Sequence, residues 1–206
     1  MDDRVSSRVV LDRLDALSTA GAGFERRLLL VRSDDWVRPT PCEEWDVRAL
    51  VNHVVGANRR YTMLLQGASA KEVNATRSMD HLGDDPLASF LATTADVIAA
   101  FREEGALERT VDHPVVGDRT AAELLGMRVL DVAVHSWDLA RAIDADDTLD
   151  ADVVEFVLTL APLFEPSRQQ GSFAAPVGEI AVGNSPQVRL LHLLGRRPTW
   201  MARRPE

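Results

Sequence analysis

Asp131 and His135 stand four residues apart in Leu130-Asp131-Val132-Ala133-Val134-His135-Ser136-Trp137-Asp138, within a helix-like stretch that is apolar round most of its circumference. On a helix this spacing puts both side chains on one face, about 6 Å apart along the axis. A carboxylate inside an apolar helix is costly unless it is paired or binds a cation. Carboxylate and imidazole on adjacent helical turns can converge on one divalent ion, as they do in bundle metal sites. His53, within Leu50-Val51-Asn52-His53-Val54-Val55, supplies a complement on an earlier segment. Two imidazoles and one carboxylate leave coordination positions open, the catalytic type of zinc site, and the set also suits nickel or ferrous iron. The alternative is a buried, hydrogen-bonded Asp–His pair with His53 as a satisfied core histidine.

Further residues attach to this set. Asp138, three residues past His135, could accept a ring N–H and orient the ligand. The alternative for it is a surface acid beside Arg141 or Arg128. Arg60 shares the His53 face and could grip a substrate carboxylate bidentately; the alternative is a solvated helix end. Cys42, the single cysteine, reads as structural, since nothing beside it in sequence offers a paired histidine and Glu43 and Glu44 would disfavour a thiolate. His192 reads as a packing residue, and His81 and His113, in polar loops, are assigned no role. Trp36, Trp45 and Trp137 are expected to fill the core or rim the site. No phosphate-binding glycine loop, nucleophile elbow or kinase signature is present.

The elements that must position these residues are mostly helical. Apolar periodicity predicts a long first helix from about Val5 to Val31, weakened by Gly21 and Gly23. A polar, proline-containing connector from Ser33 to Trp45 follows. Asp46 is a candidate N-cap for a second helix over Val47–Leu65. After a polar stretch from Ala68 to Asp85, Pro86 starts a third helix reaching about Glu104. Thr110 to Val116 reads as a short strand or extended loop. Thr120, with Glu123 as its capping-box partner, opens a fourth helix through Ile143. A fifth covers roughly Ala151 to Leu163, Phe173 to Val182 reads as extended, and Pro186 to Leu194 forms a last helix closed by Gly195. The expected fold is all-α: an up-down four-helix bundle with a short extended C-terminal segment and a small final helix. It forms one domain, with residues 1–165 as bundle and 166–206 as extension.

The chain has 206 residues and a formal net charge of −9, with 46% hydrophobic and 27% charged positions. That balance excludes a disordered or collagen-like chain, and the acidity argues against nucleic-acid binding. One cysteine excludes a disulfide framework or a Cys-rich zinc ribbon. No apolar run reaches the ~20 residues of a membrane helix, and no secretory signal opens the chain. A cytoplasmic protein without membrane contact is the expectation. Charge and helix content leave a homodimer open.

Pro39-Thr40-Pro41-Cys42-Glu43-Glu44-Trp45-Asp46-Val47-Arg48-Ala49-Leu50-Val51-Asn52-His53-Val54-Val55-Gly56 resembles the opening signature of the actinobacterial DinB/YfiT-like metal-binding proteins. Asp131 to Ala142 resembles their second signature, and Pro186 to Pro198, with Leu193-Leu194-Gly195-Arg196-Arg197-Pro198, their closing segment. The branch is the one named for the N-terminal domain of mycothiol-dependent maleylpyruvate isomerase. The resemblance implies a four-helix bundle whose metal is held by His53, Asp131 and His135. It also implies a mycothiol-type thiol as cosubstrate, activated as a thiolate for transfer to an electrophile or for isomerisation. Two departures stand out: that enzyme has Glu in place of Asp131, and it has a fuller C-terminal domain. A non-catalytic binding, regulatory or stress-related bundle with a structural or vestigial metal site is the alternative; metal-dependent hydrolysis, lacking an obvious general base, ranks below both.

Overall fold

Asp12 starts the first helix by accepting the N–H groups of Leu14 and Asp15, so α1 runs over Arg13–Leu28. The computed structural model describes residues 12–161, 175–177 and 183–201. The expected helical residues 5–11 and most of the extended tail at 173–182 lie outside the described residues, as does the expected end of the fifth helix at residues 162–163. After α1, the connector makes a short 3₁₀ turn at Ser33–Val37 and then closes on itself. Pro39 and Asp46 form an isolated antiparallel bridge, with Thr40 N–H donating to Trp45 O at 3.2 Å and Val47 N–H to Arg38 O at 3.0 Å. The Thr40 hydroxyl donates to the same Trp45 carbonyl at 2.9 Å. This loop pins Cys42 and Trp45 above the start of α2 (Val47–Leu65), which Asp46 caps through Ala49 N–H.

Ser69 and Glu72 form a reciprocal capping box that opens a short helix, α3 (Ala70–Asn74), inside the stretch expected to be irregular. Helix α4 (Pro86–Arg102) begins on Pro86, as its missing N–H allows. Strands β1 (Thr110–His113) and β2 (Gly117–Thr120) pair antiparallel, so the expected single strand is one arm of a hairpin. Thr120 and Glu123 then cap α5 (Ala121–Ala142). Helix α6 (Ala151–Thr159) and helix α7 (Pro186–Leu193) complete the described elements.

Helix α1 packs against α4 and α5, and α2 packs against the same two. The four therefore form a ring in which α1 and α2 occupy opposite corners, an architecture matching a DinB-like helical bundle. Helix α6 lies on α5 and α1, and α7 on α6. This is why α5 is buried almost all round: Leu124, Leu125, Val129, Val134, Trp137 and Leu139 have no exposed surface. An all-round apolar helix is stable only when covered this way. Gly56 on α2 marks a close approach, since a Cβ there would stand 2.4 Å from the His81 ring and 2.8 Å from Arg60 Nη1. Among the described residues no helix is long and apolar enough to cross a membrane.

The hairpin turn depends on a neutral histidine. His113 Nδ1 accepts the N–H groups of Val115 and Val116 at 3.2 and 3.3 Å. Burial, together with Arg77, Arg60 and Arg119, pushes its pKa from 6.5 down to about 4. Between those values the unfolded chain holds a proton that the folded one rejects, so stability rises with pH there. The contribution is complete above pH 6.5 and is lost as pH falls through 4. His113→Asn places an amide oxygen near the Nδ1 position without a titrating group. Urea unfolding of this variant is expected to show a shallower loss between pH 6.5 and 4 than wild type; identical pH slopes would reject the assignment.

Candidate functional site

Helices α2 and α5 bring His53, Asp131 and His135 together. Asp131 Oδ1 lies 3.3 Å from His53 Nε2 and 3.3 Å from His135 Nε2. The three candidate donor atoms all fall within 4.8 Å of one another. Separations of 3.3 Å are long for a charge-assisted hydrogen bond. They match the edge of a coordination shell, since donors at zinc distances stand roughly 3.3–3.6 Å apart in a tetrahedron. The residues present therefore fit a divalent cation. Trp45 lies over the pair of rings, its centroid 4.6 Å from that of His53 and 5.6 Å from that of His135. The His53 and Asp131 side chains keep 27% and 19% of their surface exposed, which leaves one side of the set open to solvent.

Two of the three donors, Asp131 and His135, are braced from behind. Arg128, with no exposed surface, forms an ion pair with Asp131 Oδ2. The same guanidinium donates to Asn58 Oδ1 and to Val54 O, both at 2.8 Å, on α2. Asp131 thus keeps Oδ1 for the two imidazoles. His135 Nδ1 lies 3.0 Å from Asp138 Oδ2, so a proton sits there, and Nε2 is the ring nitrogen that would offer a lone pair to a cation beside Asp131 and His53. Asp138 is fully buried and bound by Arg196.

The electrostatics follow from this crowding. Burial works to raise the Asp131 pKa, yet His53 and His135 outweigh it and hold the carboxyl well below its usual value. For His135, burial is likewise overcome, by Asp131 and Asp138, and its pKa sits well above 6.5. His53, with burial dominant, is lowered.

The position of Cys42 corrects the sequence reading. The bridged loop carries its Sγ to 3.9 Å from His135 Nδ1, 3.3 Å from Asp138 Oδ2 and 3.0 Å from Arg196 Nη2. A histidine neighbour therefore exists, supplied from α5 93 positions away. Cys42, His135 and Asp138 also cluster closely enough to suggest a second metal group. The Arg196 guanidinium already occupies that cluster, and a positive group there repels a second cation. Arg60 is not a solvated helix end: it is 8% exposed, and burial beside Arg77 and Arg128 lowers its pKa to about 10. Asp138 is no surface acid, and Arg128 serves Asp131 instead of Asp138. Trp45 rims the site while Trp137 fills the core. His81 donates from Nε2 to Thr76 O at 3.0 Å, a structural role.

A DinB-like helical bundle with two imidazoles and a carboxylate gathered between two of its helices is the class of protein that these features define. The chain belongs to the family of the mycothiol maleylpyruvate isomerase N-terminal domain, whose sequence profile matches residues 17–140. An uncharacterised protein found in two strains of Mycobacterium tuberculosis is 31% identical over 143 residues, covering 69% of this chain and 74% of that protein. Among solved structures, a mycothiol-dependent maleylpyruvate isomerase superposes with a TM-score of 0.56 at 22% identity, over 72% of this chain. A histidine-to-alanine mutant of that isomerase gives the same TM-score at 21% identity. The chain spans 66% of the length of that solved enzyme, and the likeness at this identity concerns the fold.

Proposed function

We propose that this protein is a metal-dependent enzyme acting with a low-molecular-weight thiol of the mycothiol type, as a thiol transferase or as an isomerase working through a transient thiol adduct. The observation that carries this reading is the convergence of His53 Nε2, Asp131 Oδ1 and His135 Nε2 on one point, with solvent on one side. Zinc suits these donors best, and nickel or ferrous iron fit the same set. A divalent cation held there would lower the pKa of a thiol brought to it and make the sulfur nucleophilic near neutral pH.

The chain's own residues supply the rest. Arg128 fixes the Asp131 carboxylate so that one oxygen faces the site. Asp138 fixes the His135 ring and its tautomer. Trp45 covers the imidazoles and keeps part of the site dry. Arg60, one to two turns further along α2, makes no hydrogen bond or ion pair among the described residues and is the candidate for gripping a carboxylate of the electrophile. The reading also places the protein in the cytoplasm, where thiols are kept reduced.

Metal analysis tests the proposal on protein prepared without added metal and without a metal-binding tag. Stoichiometric divalent cation is expected, together with conjugation of a test thiol to an electrophile that stops on chelation and returns with zinc. Conjugation indifferent to the chelator would overturn the reading.

A further inference from the structure

Arg196 is 58 positions from Asp138 in sequence and buried against it in space. Helix α7 ends in a turn in which Gly195 takes the left-handed conformation, φ 72°, and Arg196 N–H returns to Leu191 O at 2.8 Å. That turn sends the Arg196 side chain inward. Its Nε donates to Asp138 Oδ1 at 2.9 Å and its Nη2 to Oδ2 at 2.8 Å, a two-pronged grip on one carboxylate. Nη1 donates to Leu194 O at 3.2 Å, which ties the guanidinium back to its own segment. The same Oδ2 faces His135 Nδ1 at 3.0 Å.

We infer that Arg196 is a positioning residue: the C-terminal segment, through Asp138, sets the ring orientation and tautomer of His135 and so completes the ligand set. The inference rests on the metal-thiol reading above. Gripping both oxygens leaves the carboxylate one orientation, and in it Oδ2 is the acceptor for the His135 Nδ1 proton. With a cation bound, the Nε2 lone pair would then be directed at the point that the Asp131 and His53 donors share. Without the guanidinium, Asp138 Oδ1 has no partner among the described residues, and only the His135 ring and the Cys42 thiol hold Oδ2. Partners that orient a ligating imidazole commonly change metal affinity 10–100-fold.

The test is zinc affinity, measured by competition with a chromogenic chelator, and the visible spectrum of the cobalt-loaded protein. Arg196→Met is expected to weaken zinc binding 10–100-fold and to alter the cobalt spectrum. Arg196→Lys, which keeps the charge but not the planar fork, should recover part of the loss and guards against misfolding of the first variant. Arg196→Met combined with Asp138→Asn should be no weaker than the weaker single variant, because both act through one relay. Additive losses, or wild-type affinity in a folded Arg196→Met protein that merely melts earlier, would overturn the inference. Wild-type protein that takes up no zinc overturns the metal reading itself; zinc uptake indifferent to Arg196 overturns only the relay.

Discussion

Replacing Arg128 by methionine is expected to lower the unfolding free energy by about 3–5 kcal/mol, the cost of breaking a buried ion pair from one side. Arg128 has no exposed surface and satisfies three acceptors: Asp131 Oδ2, Asn58 Oδ1 and Val54 O. Methionine fills much of the volume but leaves all three without their donor. The carboxylate suffers most, because its remaining partners are two imidazoles that both face Oδ1. Adding Asp131→Asn to Arg128→Met should restore part of the loss, since the amide carries no charge to be stranded. Urea unfolding at neutral pH in the presence of chelator measures both without any contribution from bound metal. A loss below about 1 kcal/mol for Arg128→Met would mean that solvent already serves Asp131, since exposed pairs contribute that little.

His135→Ala is expected to weaken zinc binding by more than about a hundredfold, beyond what loss of an orienting partner costs, and to reduce thiol conjugation to the uncatalysed rate. His135 is the residue through which both halves of the site communicate: Nε2 faces Asp131, and Nδ1 faces Asp138. Its loss removes a donor and also strands Asp138 with Arg196 and Cys42 alone. Cys42→Ala makes the contrasting control. Its sulfur lies on the Nδ1 side, turned away from the candidate donors, so zinc affinity should change less than about tenfold, under the lower bound for an orienting partner. Competition titration and a conjugation assay on both variants check the pair of expectations. Wild-type affinity in folded His135→Ala would remove His135 from the site.

Much of this arrangement was legible in the chain because its signals are local. Asp131 and His135 betray themselves as polar residues four apart in an apolar helix, and Asp138 as a residue one further turn along the same face. The N-caps Asp46 and Thr120 were readable for the same reason: a cap bonds its own next turn. Helix α3 was missed although Ser69 and Glu72 carry the capping-box spacing, because five residues are too short for an apolar stripe to show. Arg196 and the neighbours of Cys42 were illegible in a deeper sense. The Cys42–Arg196 contact spans 154 positions and exists only because α7 docks on the bundle beside the bridged loop. Arg128 was the intermediate case. It precedes Asp131 by three residues, a spacing that pairs charges on a helix, but only burial reveals that the pair is a brace within the site and not a surface ornament.

The ring order of the helices also bears on how the chain comes off the ribosome. Helix α1 precedes the other three helices of the ring along the chain, yet its most extensive partner is α5, whose residues begin at Ala121. Phe24 meets Phe90 of α4 on the way, with ring centroids 4.9 Å apart, but the cover of α1 is complete only when α5 has followed. Pairings so distant along the polypeptide form slowly and leave apolar surface bare in the meantime. The helix that opens the ring is thus the last of the four to gain its full cover.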